Sequence, residues 1–219
     1  MSHSLKTIPF YALTLALALS ANMVFAQTSP ERIRAEAALR AKFSMPAWQR
    51  KLDQALPLLG HRNWIVIADS AYPHQSAPGI ETIYTGGKQI EVLEEVLKRL
   101  GKVKHVSPVV MIDAELKHVP EANAPGVEAY RKQLNKILKG QSITEKPHEE
   151  IIGQLDADSK LYKVLLLKTD LTIPYTSVFL QLDCGYWGPE KEQQLRDAIE
   201  SAKSLSEESR EIEKALGVE

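Results

Sequence analysis

The strongest constraint on the fold is a short apolar segment, Trp64–Ala68, which is rich in β-branched residues. A continuous apolar run of this length predicts a strand that is covered on both faces. Gly60 precedes it and suits the end of a helix, because glycine takes the left-handed cap conformation without penalty. Asp69 follows where the strand ends, and ligands of open α/β sheets usually bind at that end. We therefore expect the chain to be organised around this strand.

Helical and strand patterns alternate along the rest of the chain. The apolar spacing predicts helices over residues 30–43, 46–59, 89–100, 126–138 and 147–155, and one long or two short helices over 190–216. Further strands are predicted over residues 80–84, 106–112, 142–146, 161–168 and 177–182. This alternation predicts an α/β fold of three layers, with a mostly parallel sheet and helices on both faces.

The N-terminus has the pattern of a secretory signal peptide. Lys6 supplies a positive charge, residues 10–24 are almost wholly apolar, and Val24-Phe25-Ala26 fits a cleavage site before Gln27. We expect cleavage after Ala26 and an exported protein, periplasmic or secreted, with no membrane attachment once the signal is removed. An uncleaved membrane anchor is the alternative, although the apolar run is short for a span.

Composition limits the class of protein. The chain has 219 residues, of which 44% are apolar, and a formal net charge of −1, which fits one ordinary globular domain. No basic patch stands out, so nucleic acid is not an expected partner. Cys184 is the only cysteine, which excludes an internal disulfide. We predict three segments: the signal peptide 1–26, a domain over 27–188, and a helical extension over 189–219.

The remaining polar residues suit acid–base chemistry. No phosphate-binding loop, dinucleotide fingerprint or nucleophile elbow is present. After the signal peptide the histidines lie at positions 61, 74, 105, 118 and 148, and no pair has metal-ligand spacing, so no metal is expected. What remains is histidine, carboxylates and tyrosine near predicted strand ends, which can transfer protons without a cofactor. Taken singly, however, such residues are more often helix caps or turn residues.

Two motifs resemble those of one family. Residues 59–73 read Leu-Gly-His-Arg-Asn-Trp-Ile-Val-Ile-Ala-Asp-Ser-Ala-Tyr-Pro, and residues 174–180 read Pro-Tyr-Thr-Ser-Val-Phe-Leu. The first resembles the N-terminal signature of the D-ribose pyranase / L-fucose mutarotase (RbsD/FucU) family, and the second resembles its C-terminal Tyr-x-Asn motif before an apolar strand. The resemblance runs over roughly residues 47–184.

The resemblance implies a role for each matching residue. His61 matches the family's catalytic histidine, and Asp69, His148 and Tyr175 match residues that bind the sugar. Ser177 stands where the family has asparagine, which replaces an amide that both donates and accepts by a shorter hydroxyl. This departure bears on the preferred sugar and on the activity.

The implied function is anomer or ring-form interconversion of a free monosaccharide by a homo-oligomer, without a cofactor. The family assembles into rings with sites shared between subunits. That would reconcile His61 with Asp69, because a strand rising about 3.3 Å per residue places them some 20 Å or more apart in one chain. Two alternatives stay open: a non-catalytic exported monosaccharide-binding protein on the same scaffold, and an assembly protein whose C-terminal helix docks partners.

Overall fold

The computed structural model describes residues 29–216, which divide into two units at Arg50 and Lys51. The first unit contains helix α1, Pro30–Ser44, and the boundary falls inside helix α2, Ala47–Ala55. Both helices were predicted from the sequence.

The predicted signal peptide, residues 1–26, lies outside the described residues, so its cleavage and the exported location stay predictions. Over residues 29–216, no helix combines the length and the apolar character that a membrane span requires.

The second unit contains a sheet and its flanking helices. After α2 and a 3₁₀ turn at Leu56–Leu58, the elements follow in the order β1 Trp64–Ala68, β2 Ile80–Tyr84, α3 Gln89–Leu100, β3 Val106–Asp113, α4 Val127–Ile137, β4 Ile143–Lys146, α5 His148–Asp158, β5 Val164–Lys168, β6 Val178–Cys184 and α6 Pro189–Ala215. A second 3₁₀ turn, Ala114–His118, follows β3. The predicted bounds of β1, β2 and α3 coincide with those of the structure.

The six strands are ordered β2–β5–β1–β6–β3–β4. β2, β5 and β1 pair in parallel, as do β3 and β4, whereas β6 is antiparallel to both of its neighbours, β1 and β3. The prediction of a mostly parallel sheet is therefore confirmed. All five residues of β1 are buried, as expected for a strand inside a sheet that is covered on both faces.

Helices cover both faces of this sheet, which confirms the three-layer α/β prediction. On one face, Ile151 and Leu155 of α5 join Trp64 and Val66 of β1 in one apolar cluster. The Trp64 indole Nε1–H also donates a hydrogen bond to Asp158 Oδ2 at 2.9 Å, at the end of α5. On the other face, α3 packs against β1 and β3, with α4 beside it.

The turn before β1 differs from the expected glycine cap. The residue with left-handed backbone is Arg62, with φ of 71°, not Gly60. The Gly60 N–H donates to the Asn63 side-chain oxygen at 2.6 Å, and the Asn63 N–H donates to the Gly60 carbonyl at 3.1 Å. The Asn63 side chain closes the turn, so Gly60 does not need a positive φ.

The C-terminal segment forms one helix, α6, rather than two. None of its residues is buried, and its apolar residues Leu205 and Ile212 are 64% and 53% exposed. A role in assembly, and the division of the chain at residue 189, stay predictions.

Candidate functional site

Four polar side chains gather at one edge of the sheet because of the strand directions. β1, β3 and β4 end at this edge and the antiparallel β6 begins there, so we call it the carboxyl edge. Asp69 follows β1, Asp113 ends β3, His148 follows β4, and Ser177 precedes β6. Ligands of open α/β sheets bind at such an edge.

A cavity of about 320 Å³ opens at the carboxyl edge. We call it the carboxyl-edge pocket, and its lining residues are Asp69, Ala71, Tyr72, Pro73, Gln75, His148, Ile152, Pro174 and Tyr175. Its volume falls at the lower end of the range of about 300–1,000 Å³ for small-molecule sites. The structure therefore brings together Asp69, His148 and Tyr175, three residues selected from the sequence.

The Asp69 carboxylate is held on both of its oxygens. Oδ1 accepts a hydrogen bond from the Ala71 N–H at 2.8 Å, and Oδ2 accepts one from the Ser177 hydroxyl at 2.9 Å. The Asp69 N–H donates in turn to Ser177 Oγ at 3.3 Å. Ser177 is only 2% exposed. Its hydroxyl therefore orients Asp69, and a direct contact of Ser177 with a sugar stays a prediction.

Tyr175 has an unusual backbone conformation at the rim of the pocket. Its φ is +59°, a region that non-glycine residues occupy at an energetic cost and that clusters at functional sites. The next residue, Thr176, is fully buried, and its carbonyl accepts hydrogen bonds from the Tyr130 hydroxyl at 2.7 Å and from Gln89 Nε2. These bonds hold Tyr175 in place, with its ring edge-on to that of His148 at a centroid distance of 5.7 Å.

His148 is the first residue of α5, and two acidic side chains contact it. Its backbone N–H donates to both carboxylate oxygens of Glu115 at 3.1 Å, which places a negative charge at the N-terminus of the helix. Its ring atom Nδ1 lies 3.1 Å from Asp113 Oδ1. Asp113 was missed as a site residue, although an acid at the end of a buried strand, like Asp69, was a usable signal.

Burial dominates the electrostatics of Asp113. The side chain has no exposed surface, and this desolvation raises the pKa of its carboxyl to about 6. A positive charge on His148 opposes the increase, whereas the charges of Glu115 and Asp69 add to it. In Tyr72, which lines the same pocket, burial raises the pKa of the phenol well above its usual range.

His61 lies at the opposite edge of the sheet, three residues before β1 begins. Its Nδ1 is 2.8 Å from Asp183 Oδ1, and the two side chains are 56% and 50% exposed. The eight residue steps from His61 to Asp69 include all of β1, so about 20 Å or more separates the two residues. The pocket of one chain therefore does not contain His61. Asp183 was also missed from the sequence, where it follows the predicted strand 177–182 and no motif marks it.

Other cavities and polar clusters in the described part of the chain are weaker candidates for a ligand or metal site. A cavity of about 410 Å³ lies at the starts of α3 and α4, but its buried polar groups, Gln89 and Tyr130, are already hydrogen-bonded to Thr176. Across residues 29–216, no three histidine, cysteine, aspartate or glutamate side chains lie close enough together to hold a metal ion.

Comparison with models of known protein families finds a match to one family. The RbsD / FucU transport protein family matches residues 44–184. No curated protein matches the chain.

Similar solved structures cover 61% of this chain. RbsD from Bacillus subtilis, complexed with D-ribose, is 23% identical, is covered over 91% of its length and has a TM-score of 0.45. The fucose mutarotase from Streptococcus pneumoniae, in complex with L-fucose, is 20% identical over 91% of its length, with a TM-score of 0.42. FucU from Bifidobacterium longum is 16% identical over 94% of its length, with a TM-score of 0.44.

The family match takes in the whole sheet, the carboxyl-edge pocket and His61, while α6 lies beyond it. It spans more than half of the chain. This chain therefore belongs to the RbsD / FucU transport protein family.

Proposed function

We propose that this protein is an exported isomerase that interconverts the anomers or ring forms of a free monosaccharide by cofactor-free acid–base catalysis. The observation that carries the proposal is the carboxyl-edge pocket of a chain in this family, where Asp69, His148 and Tyr175 line one small cavity. A carboxylate accepts hydrogen bonds from sugar hydroxyls, and imidazole and phenol both donate and accept them. Tyr175 also offers a ring face for apolar sugar carbons.

The chemistry requires two proton transfers. One group takes the proton of the anomeric hydroxyl while another gives a proton to the ring oxygen, so that the ring C–O bond breaks and a carbonyl forms at C1. Reclosure on the other carbonyl face, or through another hydroxyl, gives the second anomer or ring form. Histidine suits both roles because its usual pKa lies near neutrality. General acid–base catalysis contributes about 10²–10⁴-fold, which is sufficient for a reaction that also proceeds in water.

His61 joins this site only if a neighbouring subunit supplies it. Its exposed ring, with Nδ1 held by Asp183, leaves Nε2 available at the surface to contact another chain. A contact between the His61 edge of one subunit and the pocket of the next is heterologous, and heterologous contacts form a ring when the rotation between neighbours closes. We therefore propose a ring-shaped homo-oligomer whose sites combine His61 of one subunit with Asp69, His148 and Tyr175 of its neighbour.

A second candidate is a non-catalytic exported monosaccharide-binding protein. It is favoured by the separation of His61 from the pocket, because one chain alone has the sugar-binding residues of the site without its catalytic histidine.

Nuclear magnetic resonance can test both functions in the same samples. Ribose, fucose, galactose and glucose are each mixed with the protein, and binding and anomer exchange are recorded together. We expect faster exchange for at least one sugar. The exchange should be lost in His61→Ala with binding retained, and both should be lost in Asp69→Ala. Binding by the intact protein without exchange would support the second candidate, and no contact with any sugar would contradict both.

A further inference from the structure

Five buried polar atoms of the pocket lining and of Asp113, which contacts that lining through His148, lack hydrogen-bond partners within residues 29–216. They are the Tyr72 hydroxyl, Gln75 Oε1, Nδ1 of His148 and both carboxylate oxygens of Asp113. Nδ1 and Asp113 Oδ1 are nevertheless only 3.1 Å apart, which is an ion-pair distance. Buried polar groups are rarely left unpaired, and the exceptions are often found where a site does chemistry. The contact requires an explanation.

We propose that Asp113 and His148 form a proton-transfer pair, in which His148 gives and takes the proton of the sugar ring oxygen and Asp113 is its positioning residue. This inference rests on the proposed isomerase function and adds a role for Asp113. It also supplies a second acid–base group, so that His61 need not perform both proton transfers.

The geometry supports these two roles. Asp113 ends β3 and its side chain has no exposed surface, so its position is fixed by the sheet. His148 lines the pocket and its side chain is 31% exposed although its Nδ1 is buried, which leaves Nε2 as the ring nitrogen that can meet a substrate. A carboxylate beside one ring nitrogen holds a proton there and sets the state of the other nitrogen. Asp113 thus fixes Nδ1 as the protonated atom and directs Nε2 to the substrate.

The charges around the pair are compatible with proton transfer. An ionised Asp113 stabilises the positive imidazolium that exists whenever His148 carries the transferable proton. Burial raises the pKa of the Asp113 carboxyl to about 6, His148 opposes the increase, and the charges of the nearby acids Glu115 and Asp69 add to it. The carboxyl is therefore mostly ionised at pH 7 and close enough to titration to respond to the charge of His148.

The proposed step balances. The imidazolium of His148 donates the proton on Nε2 to the ring oxygen as the C1–O bond breaks, while a base, His61 of a neighbouring subunit, takes the proton of the anomeric hydroxyl. On reclosure the open-chain hydroxyl attacks C1 and returns its proton to Nε2, while the carbonyl oxygen takes a proton from His61 and becomes the anomeric hydroxyl again. No oxidant, metal or other reactant is consumed.

A double-mutant cycle separates a positioning role from a structural one. Exchange rates at saturating sugar, and the sugar dissociation constant, are measured for Asp113→Asn, His148→Ala and the double variant. Asp170→Asn is the matched control, because Asp170 follows β5 at the same edge but is exposed and outside the pocket wall. We expect Asp113→Asn to lower the rate about 10–100-fold with affinity within about threefold, and the double variant to be no slower than His148→Ala.

A second readout does not depend on activity. The ¹⁵N shifts of the neutral His148 ring report which nitrogen carries the proton, and we expect Nδ1–H in the intact protein and a mixture of both forms in Asp113→Asn. Multiplicative losses in the double variant, or a His148 ring protonated on Nε2 in the intact protein, would overturn the inference. If the intact protein speeds no sugar's exchange, the proposed function fails and proton transfer by the pair fails with it. If Asp113→Asn leaves the exchange rate unchanged, the proposed proton-transfer pair is wrong, but the proposed isomerase function is not affected.

Discussion

The free energy of unfolding should depend on pH through one buried carboxyl, that of Asp113. Its pKa is raised from 3.8 to about 6 in the folded protein, with burial as the largest cause. The folded state therefore binds the proton more tightly than the unfolded state between about pH 4 and pH 6, so this group's contribution to stability falls as the pH rises through that window. At about 1.4 kcal/mol per pKa unit, the raised pKa corresponds to about 3 kcal/mol, which is an upper bound.

Asp113→Asn removes this dependence with little change in shape. At pH 4 the carboxyl is protonated in the folded state, so the variant and the intact protein should be about equally stable. At pH 7.5 the intact protein contains a buried charge that the variant lacks, and the variant should be more stable by up to about 3 kcal/mol. Urea unfolding at several pH values measures the difference, and Asp170→Asn, at an exposed position, should show no such trend.

The opposite result would refute this reasoning. If Asp113→Asn were less stable than the intact protein at pH 7.5, attraction between the carboxylate and His148 would outweigh the desolvation of Asp113. A difference independent of pH would show that the carboxyl does not titrate near pH 6 in the folded protein.

Two further predictions concern backbone packing and the hold on Asp69. A Cβ on Gly79 would lie 1.9 Å from the Ser159 carbonyl oxygen, so Gly79→Ala should destabilise the protein by about 3 kcal/mol or more. Gly153 lies inside α5, and a Cβ added there would meet no neighbouring atom within 4 Å, so Gly153→Ala should stabilise the protein by about 0.5–1 kcal/mol. Thermal unfolding of the two glycine variants tests both predictions, and equal melting temperatures would contradict them. Ser177→Ala removes the hydroxyl that donates to Asp69 Oδ2 and should weaken sugar binding about tenfold by titration; unchanged affinity would mean that Asp69 needs no such support.

Much of the fold could be predicted because the signals are local. Trp64–Ala68 is a continuous apolar run, and Gln89–Leu100 repeats its apolar residues every three or four positions, so both elements follow from the sequence alone. The antiparallel direction of β6 could not be predicted, since an apolar run gives the existence of a strand and not its direction. The positive φ of Tyr175 was also unforeseen, because glycine or asparagine usually marks such a position.

The candidate site was only partly accessible from the sequence. Asp69, His148 and Tyr175 were selected through the family resemblance, and the structure places all three around one pocket. The partners of the histidines were missed, since Asp113 is 35 residues before His148 and Asp183 is 122 residues after His61. Such contacts come from the order of strands in the sheet, which no local pattern records. The separation of His61 from Asp69 was predictable from the rise of a strand.

The most direct test of the central claim mixes two inactive variants. His61→Ala lacks the proposed base and Asp69→Ala lacks a sugar ligand, and each should be inactive alone in the exchange assay. If a site joins His61 of one subunit to Asp69 of the next, equal amounts unfolded and refolded together should place both intact residues in about a quarter of the sites by random mixing. We predict that about a quarter of the original exchange rate returns. Full activity of either variant alone, or no recovery in mixed oligomers, would contradict a catalytic site shared between subunits.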